Sequence, residues 1–291
     1  MISSSNIRGI AAMVLAMGAF IASDSASKFA LANVPMFELM MIRGYIGMVL
    51  CLIIVVLMDQ GRHLASAFNP WVLARGVSEV FANFGFTLAI LHMPIADVTA
   101  IAQTAPLMVL LGARVIFGDR LGISRLFLIA LGLSGALLVA QPGATAASPY
   151  ALLGFVVAIG ATSRDLITRK VKNNVPAPVA ALAVLTCLTL VSAVCTFSFE
   201  TLVIPNARDT GLMFTSGALM VAGHVGVFLA YKMGEARAVA PFMYSLTVWA
   251  VLSSVVLFGD RPNLLAIAGM VVILLAGLLV IYVDGRRTSR R

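Results

Sequence analysis

The chain alternates long apolar stretches with short polar breaks from one end to the other. Ten apolar stretches, each of roughly 20 residues and so long enough to cross a bilayer as a helix, cover 9–31, 37–58, 71–92, 95–117, 125–141, 150–168, 178–199, 211–232, 239–258 and 264–283. The breaks carry turn chemistry, as in Asn33-Val34-Pro35, Asn69-Pro70, Gln141-Pro142-Gly143 and Arg261-Pro262-Asn263. Strands are not viable for these stretches, because an open sheet leaves backbone N–H and C=O groups unpaired in lipid. The expected fold class is therefore an all-α integral membrane protein with ten transmembrane helices.

The second half of the pattern repeats the first at an unbroken offset of 141 residues. Phe117-Gly118-Asp119-Arg120 returns as Phe258-Gly259-Asp260-Arg261, Asn33-Val34-Pro35 as Asn174-Val175-Pro176, and Asp24 as Asp165. Leu137-Leu138-Val139 falls on Leu278-Leu279-Val280, and Lys28 falls on Arg169. Five spans per half is an odd number, so the halves, 1–143 and 144–291, are expected to lie in opposite orientations in the membrane. Inverted repeats of this kind are a mark of secondary transporters, with the substrate site near the midplane between the halves and rocking motions giving alternating access. The other reading of the duplication is structural history only, in a membrane enzyme or a non-transporting scaffold.

Composition agrees with a membrane protein: 61% hydrophobic, 11% charged and a mean hydropathy of +1.03, against about 45–50% and about 25% for soluble domains. Cys51, Cys187 and Cys195 sit singly in apolar stretches without metal-ligand spacing, so they read as small core residues. The sequence pI of about 9.9 does not point to nucleic acid, because the basic residues lie in short loops and in the tail Arg286, Arg287, Arg290, Arg291. With the N-terminus on side one, that side also carries Arg8, Arg62, Arg120, Arg125, Arg169, Lys170, Lys172, Lys232 and Arg237, while side two carries Lys28, Arg208 and Arg261. Thirteen against three places both termini in the cytoplasm. Trp71, Tyr150 and Tyr282 lie near span ends, where interfacial aromatics belong. Arg8 and the apolar run ending at Ser-Ala-Ser imitate a signal peptide, but residues 9–35 match 150–176, so the first span is expected to be retained.

Ionisable groups inside a bilayer are costly, about 2.5–3.5 kcal/mol at a helix centre on insertion scales, and mark candidate functional positions. Asp24 and Asp165 are repeat equivalents, each with a base four residues on, Lys28 and Arg169. The spacing puts each pair on one helix face, as gate or proton-carrying charges or as a helix-end ion pair. Arg75, Glu79, Asn83 and Phe86 share one face of the third span; Glu79 reads as a protonatable coupling residue or as half of an Arg75–Glu79 bridge. Thr99 and Gln103 share a face of the fourth span, where Pro106 frees backbone carbonyls at a kink or a cavity. His224, the repeat partner of Asn83, reads as a site residue or as a hydrogen-bonded core histidine. Tyr244 and Trp249 can stack on a flat ligand or pack between helices.

No enzyme signature appears: no paired-aspartate motif, His-Glu-x-x-His, Gly-rich phosphate loop or nucleophile elbow. No cofactor or metal is expected, and without a nucleotide-binding element active transport must draw on gradients.

Ten spans, the inverted repeat, the Gly-Asp-Arg turns and the stretch from Met93-Pro94-Ile95-Ala96-Asp97-Val98-Thr99-Ala100-Ile101 to Pro106-Leu107 resemble the drug/metabolite transporter superfamily, EamA type, over essentially the whole chain. The family usually has Gly-Glu-Arg in these turns; Asp keeps the charge. Phe37-Glu38 ahead of Arg43-Gly44, Ser163-Arg164-Asp165-Leu166, Gly223-His224, Val239-Ala240-Pro241-Phe242, Tyr244, Thr247-Val248-Trp249-Ala250 and Pro262-Asn263 are similar to its proteobacterial riboflavin-importer subgroup. Other members of the superfamily export amino acids or take up other metabolites. The resemblance implies a multi-pass protein of the bacterial inner membrane. It implies a riboflavin substrate, for which the polar and aromatic positions Asn83, Thr99, Gln103, His224, Tyr244 and Trp249 are the candidate contacts, a set that would also suit other aromatic metabolites. Gating or coupling would fall to Asp24, Arg43, Glu79, Arg164 and Asp165. The partners expected are a small-molecule substrate and the lipid bilayer, with a homodimer left open and nucleic acid excluded.

Overall fold

The computed structural model describes residues 4–118, 123–140, 149–171 and 175–288. Asp119, Arg120, Gln141-Pro142-Gly143, Lys172, Asn174, Arg290 and Arg291 lie outside the described residues. Every regular element described is helical. In order they are α1 (Ser4–Ala30), α2 (Met36–Leu57), a 3₁₀ segment (Gly61–Phe68), α3 (Pro70–His92), α4 (Ile95–Ala102), α5 (Ala105–Phe117) and α6 (Ile123–Ala140). There follow α7 (Ala151–Thr168), α8 (Ala177–Phe199), α9 (Ala207–Met233), α10 (Ala236–Val239), a 3₁₀ segment (Ala240–Tyr244), α11 (Ser245–Phe258) and α12 (Leu264–Thr288).

The helix ends follow their local chemistry. Asn69 caps α3 by accepting from the Trp71 amide, with Pro70 at the first helical position. Asn206 caps α9 by accepting from the Asp209 amide. Gly118 and Gly259, repeat partners, end α5 and α11 with φ of 71° and 68°. That left-handed conformation is strained for residues with a Cβ, which is why both Phe-Gly turns carry glycine there.

Seven helical stretches are long and apolar enough to cross a membrane: Asn6–Ala30, Met36–Leu57, Ile95–Phe117, Ala151–Thr168, Ala177–Phe199, Ala207–Met233 and Ala240–Phe258. The apolar runs of α6 and α12 are shorter, Leu126–Val139 and Leu264–Leu279. Helix α3, of 23 residues, is not among the seven. The protein is a multi-pass, all-helical membrane protein.

Helices from the two halves interleave. The most extensive packing is α1 against α9, α3 against α7, α6 against α12 and α2 against α8. The first two pairs are exchanged by the 141-residue offset, and the last two map onto themselves. Contacts agree residue by residue: a Cβ on Gly76 would meet Cys187, and one on Gly217 would meet Ile46, the repeat partners of each other's contacts. Gly85 faces Val157 and Gly226 faces Ala16 in the same relation. Close approach through small residues is how helices pack where lipid offers no hydrophobic drive.

The fourth and ninth predicted spans are not continuous α-helices. Helix α4 stops at Ala102 and α5 begins at Ala105, while the stretch ahead of α11 is a 3₁₀ turn ending at Tyr244. Gln103 and Tyr244, at these two interruptions, are repeat partners. Pro106 and Pro241 lie beside them, each lacking an amide hydrogen for the helical ladder.

Candidate functional site

The interior charges of α1, α2, α3 and α7 join into one chain of contacts. Arg43, 4% exposed, lies 3.6 Å from the Asp24 carboxylate, donates from Nη1 to Ser27 Oγ at 2.9 Å and from Nη2 to Asn83 Oδ1 at 3.2 Å. Asn83 Nδ2 donates to Glu79 Oε1 at 3.2 Å and to the Glu79 carbonyl at 3.1 Å. The other Glu79 oxygen accepts from Arg164 Nη1 at 3.0 Å, and Arg164 Nε donates to Asp165 Oδ1 at 2.7 Å. The order Asp24–Arg43–Asn83–Glu79–Arg164–Asp165 thus alternates acid and base around one amide, and it crosses from the first half into the second. Paired, hydrogen-bonded charges are the form in which ionised groups persist in a low-dielectric interior.

All five charged positions expected to gate or couple are members of this chain, together with Asn83. Their partners differ from the sequence expectation. Asp24 does not pair with Lys28, whose Nζ donates to the Met93 carbonyl at 3.0 Å and sits 4.8 Å from the Phe258 ring centroid. Asp165 pairs with its neighbour Arg164, while Arg169 lies over Phe117 at 5.4 Å. Glu79 takes Arg164 as its ion-pair partner, and Arg75 donates instead to Thr168 Oγ1 at 3.1 Å. Helix spacing aligned the residues, but a base from a neighbouring helix came closer to Asp24 and to Glu79, and Asp165 took its chain neighbour Arg164. Ser27 was missed; it is three residues from Asp24, and it bonds Ser216 Oγ at 2.7 Å as well as Arg43.

The expected contact residues divide. Asn83 is inside the chain. His224 Nδ1 donates to the Met220 carbonyl at 2.8 Å. Its ring meets Phe20 edge-on at 5.0 Å, and Glu79 and Arg164 lie within electrostatic reach. Gln103 Nε2 donates to the Met243 carbonyl at 3.4 Å, linking the two helix interruptions. Thr99 is 1% exposed and its hydroxyl has no partner among the described residues; Arg43 Nε is likewise unpaired. These are free polar valences beside the charged chain's own helices. Trp249 and Tyr244 are occupied by packing: Trp249 Nε1 donates to the Val14 carbonyl at 3.0 Å with its ring against Gly18, and the Tyr244 ring lies directly on Gly277.

Ionisable groups inside membrane helices and helices interrupted at mid-span mark candidate substrate or ion pathways. Residues 7–141 match the EamA-like transporter family. The chain carries an EamA-like transporter domain. Among curated proteins it is similar to the pseudopaline exporter of Pseudomonas aeruginosa, at 28% identity over 92% of this chain and 94% of that protein. The S-adenosylmethionine uptake transporter of Rickettsia bellii is 24% identical over 97% of this chain and 96% of its own length. The riboflavin transporter of Rhizobium johnstonii is 26% identical over 76% and 73%. A crystal structure of similar fold superposes with a TM-score of 0.67 at 22% identity, covering 99% of this chain and all of its own. These relatives are named for the transport of small metabolites.

Proposed function

We propose that this chain is a secondary carrier of a small organic metabolite in the bacterial inner membrane, with ten spans in two inverted halves, 1–143 and 144–291, and both termini cytoplasmic. The observation that carries the reading is the Asp24–Arg43–Asn83–Glu79–Arg164–Asp165 chain, which joins the halves through charges that a bound solute can repartner. The two-fold exchange of helix pairs supports the inverted repeat, and the basic residues on side one support the orientation.

For the substrate, the geometry favours a metabolite bearing both an amino and a carboxylate group. Alternating carboxylates and guanidiniums offer complementary partners to both, and the relatives named for pseudopaline export and S-adenosylmethionine uptake match over 92% and 97% of the chain. Riboflavin uptake is the second reading, supported by the subgroup resemblance and by a relative of that name matching 76% of the chain. The occupied rings of Trp249 and Tyr244 lower the stacking surface available to a flat ring system.

The deciding experiment is labelled-solute uptake and efflux in a riboflavin-auxotrophic bacterium lacking its own importer, with and without this chain in the membrane. Saturable S-adenosylmethionine or amino-acid flux without riboflavin uptake supports the first reading. Growth on low riboflavin with saturable uptake installs the second. A chain that moves no solute in sealed vesicles but alters one chemically overturns the carrier.

A further inference from the structure

The start of α2 in the first half and the stretch 200–206 after α8 in the second are fastened by reciprocal carboxylate–amide bonds. Glu200 accepts the Phe37 amide on Oε1 and the Glu38 amide on Oε2, both at 2.9 Å. These amides belong to the first turn of α2, where no carbonyl within the helix can reach them. Glu38 answers by accepting the Val203 amide on Oε2 at 3.0 Å. Beside them Asn33 Nδ2 donates to both oxygens of Asp209, at 3.4 and 3.2 Å. Glu38 and Asp209 are 3% and 2% exposed. A carboxylate on the amides of a helix N-terminus makes directional, charge-assisted bonds, roughly twice as strong as neutral ones.

The α2–α8 pair maps onto itself under the offset of 141, so its two ends are repeat equivalents. Their chemistry is not equivalent. At the second end Pro178 stands where Phe37 does and has no amide hydrogen, and Val179 stands where Glu38 does and has no carboxylate. Phe68 takes the place of Asp209, and Asp59, the counterpart of Glu200, is exposed. This end is held by a thiol contact, Cys51 Sγ to the Pro178 carbonyl at 3.5 Å, and by apolar packing of Val55, Val179, Leu182 and Leu185. Apolar burial has no direction, so such surfaces can slide, whereas the Glu200 bonds fit one geometry. Inverted halves that rock about a shared site break contacts at one end and make their equivalents at the other. The Glu200–Glu38 bonds have no equivalent that Pro178 and Val179 could form in any state.

We propose that Glu38 and Glu200 are a permanent fastening between the halves, a pivot at one end of the α2–α8 pair about which the Cys51 end moves. This rests on the carrier reading, and not on which end faces the cytoplasm. The two carboxylates keep their amides throughout transport, and the apolar end supplies the travel. Arg43 lies on α2 between Glu38 and Cys51 and closer to Glu38. A swing about the pivot therefore moves this member of the charged chain less than it moves Cys51.

The test reads the two ends separately and needs no transported solute. In nanodiscs, with Cys51, Cys187 and Cys195 replaced, spin labels go on exposed positions across each end. The pairs are Ala32→Cys with Leu202→Cys, and Leu57→Cys with Ala177→Cys. Electron paramagnetic resonance is expected to give one narrow interspin distance at the Glu200 end and a split or several-fold broader distribution at the Cys51 end. Amide hydrogen exchange reads the bonds themselves: Phe37 and Glu38 should exchange several-fold faster in Glu200→Ala, with the distances at that end spreading as well. Glu200→Gln, which keeps an acceptor for one amide, should fall between, and it carries the comparison where Glu200→Ala gives no monodisperse protein. A spread Glu200 end in the parent, a Cys51 end as narrow as the other, or parent-like exchange in the folded Glu200 variants overturns the pivot. Solute flux is scored apart from these distances. A chain that carries labelled S-adenosylmethionine while its Glu200 end spreads keeps the carrier reading and loses the pivot. One that moves no solute in sealed vesicles yet shows a narrow Glu200 end and a spread Cys51 end loses the carrier reading and keeps the fastening.

Discussion

Glu79 and Arg164 lie 85 positions apart and in different halves, yet their side chains meet at 3.0 Å between α3 and α7. The contact uses one Glu79 oxygen; the other is held by Asn83, so the carboxylate is fixed from both sides. Removing one partner of a buried pair strands the other charge, at about 3–5 kcal/mol where burial is complete. Arg164 is 29% exposed and keeps Asp165, which reduces that figure here.

Glu79→Ala and Arg164→Ala are each expected to abolish transport at matched expression. The exchanged double variant Glu79→Arg with Arg164→Glu is expected to recover more than either single reversal. A double-mutant cycle on transport rate measures this, and additive losses would show that the pair has no role as a pair.

Asn83 joins Arg43 to Glu79 through one amide, accepting from the first and donating to the second. Asn83→Ala is expected to lower transport at least about tenfold, equivalent to ~1.4 kcal/mol, while the protein stays in the membrane. His224→Ala, which removes a ring anchored on Met220 and Phe20, should raise the substrate KM more than it lowers the maximal rate. If both variants transport like the parent, the midplane site is wrong.

Trp249→Phe separates packing from substrate contact. Losing the bond to the Val14 carbonyl costs about 1 kcal/mol, so a lower melting temperature with unchanged KM is expected. A raised KM at unchanged stability would return Trp249 to the substrate contacts.

Gly135 and Gly269 bring α6 and α12 together so closely that a Cβ on Gly269 would stand 2.5 Å from the Gly135 carbonyl oxygen. Gly269→Val is expected to destabilise the detergent-solubilised protein by about 1–3 kcal/mol, the usual range for overpacking. Thermal unfolding checks it, and an unchanged melting temperature would show that the two helices can part freely.

Much of the architecture was legible in the chain. Among the described residues the apolar stretches lie in helices, with breaks at Asn33-Val34-Pro35, Asn69-Pro70 and Arg261-Pro262-Asn263, because hydropathy and capping act over a few residues. Pro106 marked the weak point of the fourth span, and the helix does break two residues before α5 takes up again. The positions of Asp24, Arg43, Glu79, Arg164 and Asp165 as interior charges could be read because charge is rare where everything else is apolar.

What the sequence by itself determined was a membrane-spanning, duplicated chain and the short list of residues worth its burial cost. Which charge answers which was decided by the tertiary structure. The i, i+4 spacing offered Lys28 to Asp24 and Arg169 to Asp165, but packing brought Arg43 of α2 to the first, while the second pairs with its chain neighbour Arg164. Periodicity reports only the neighbours along one helix. Asp24 and Glu79 take their nearest favourable partners from other helices, and those partners are chosen by how α1, α2, α3 and α7 pack.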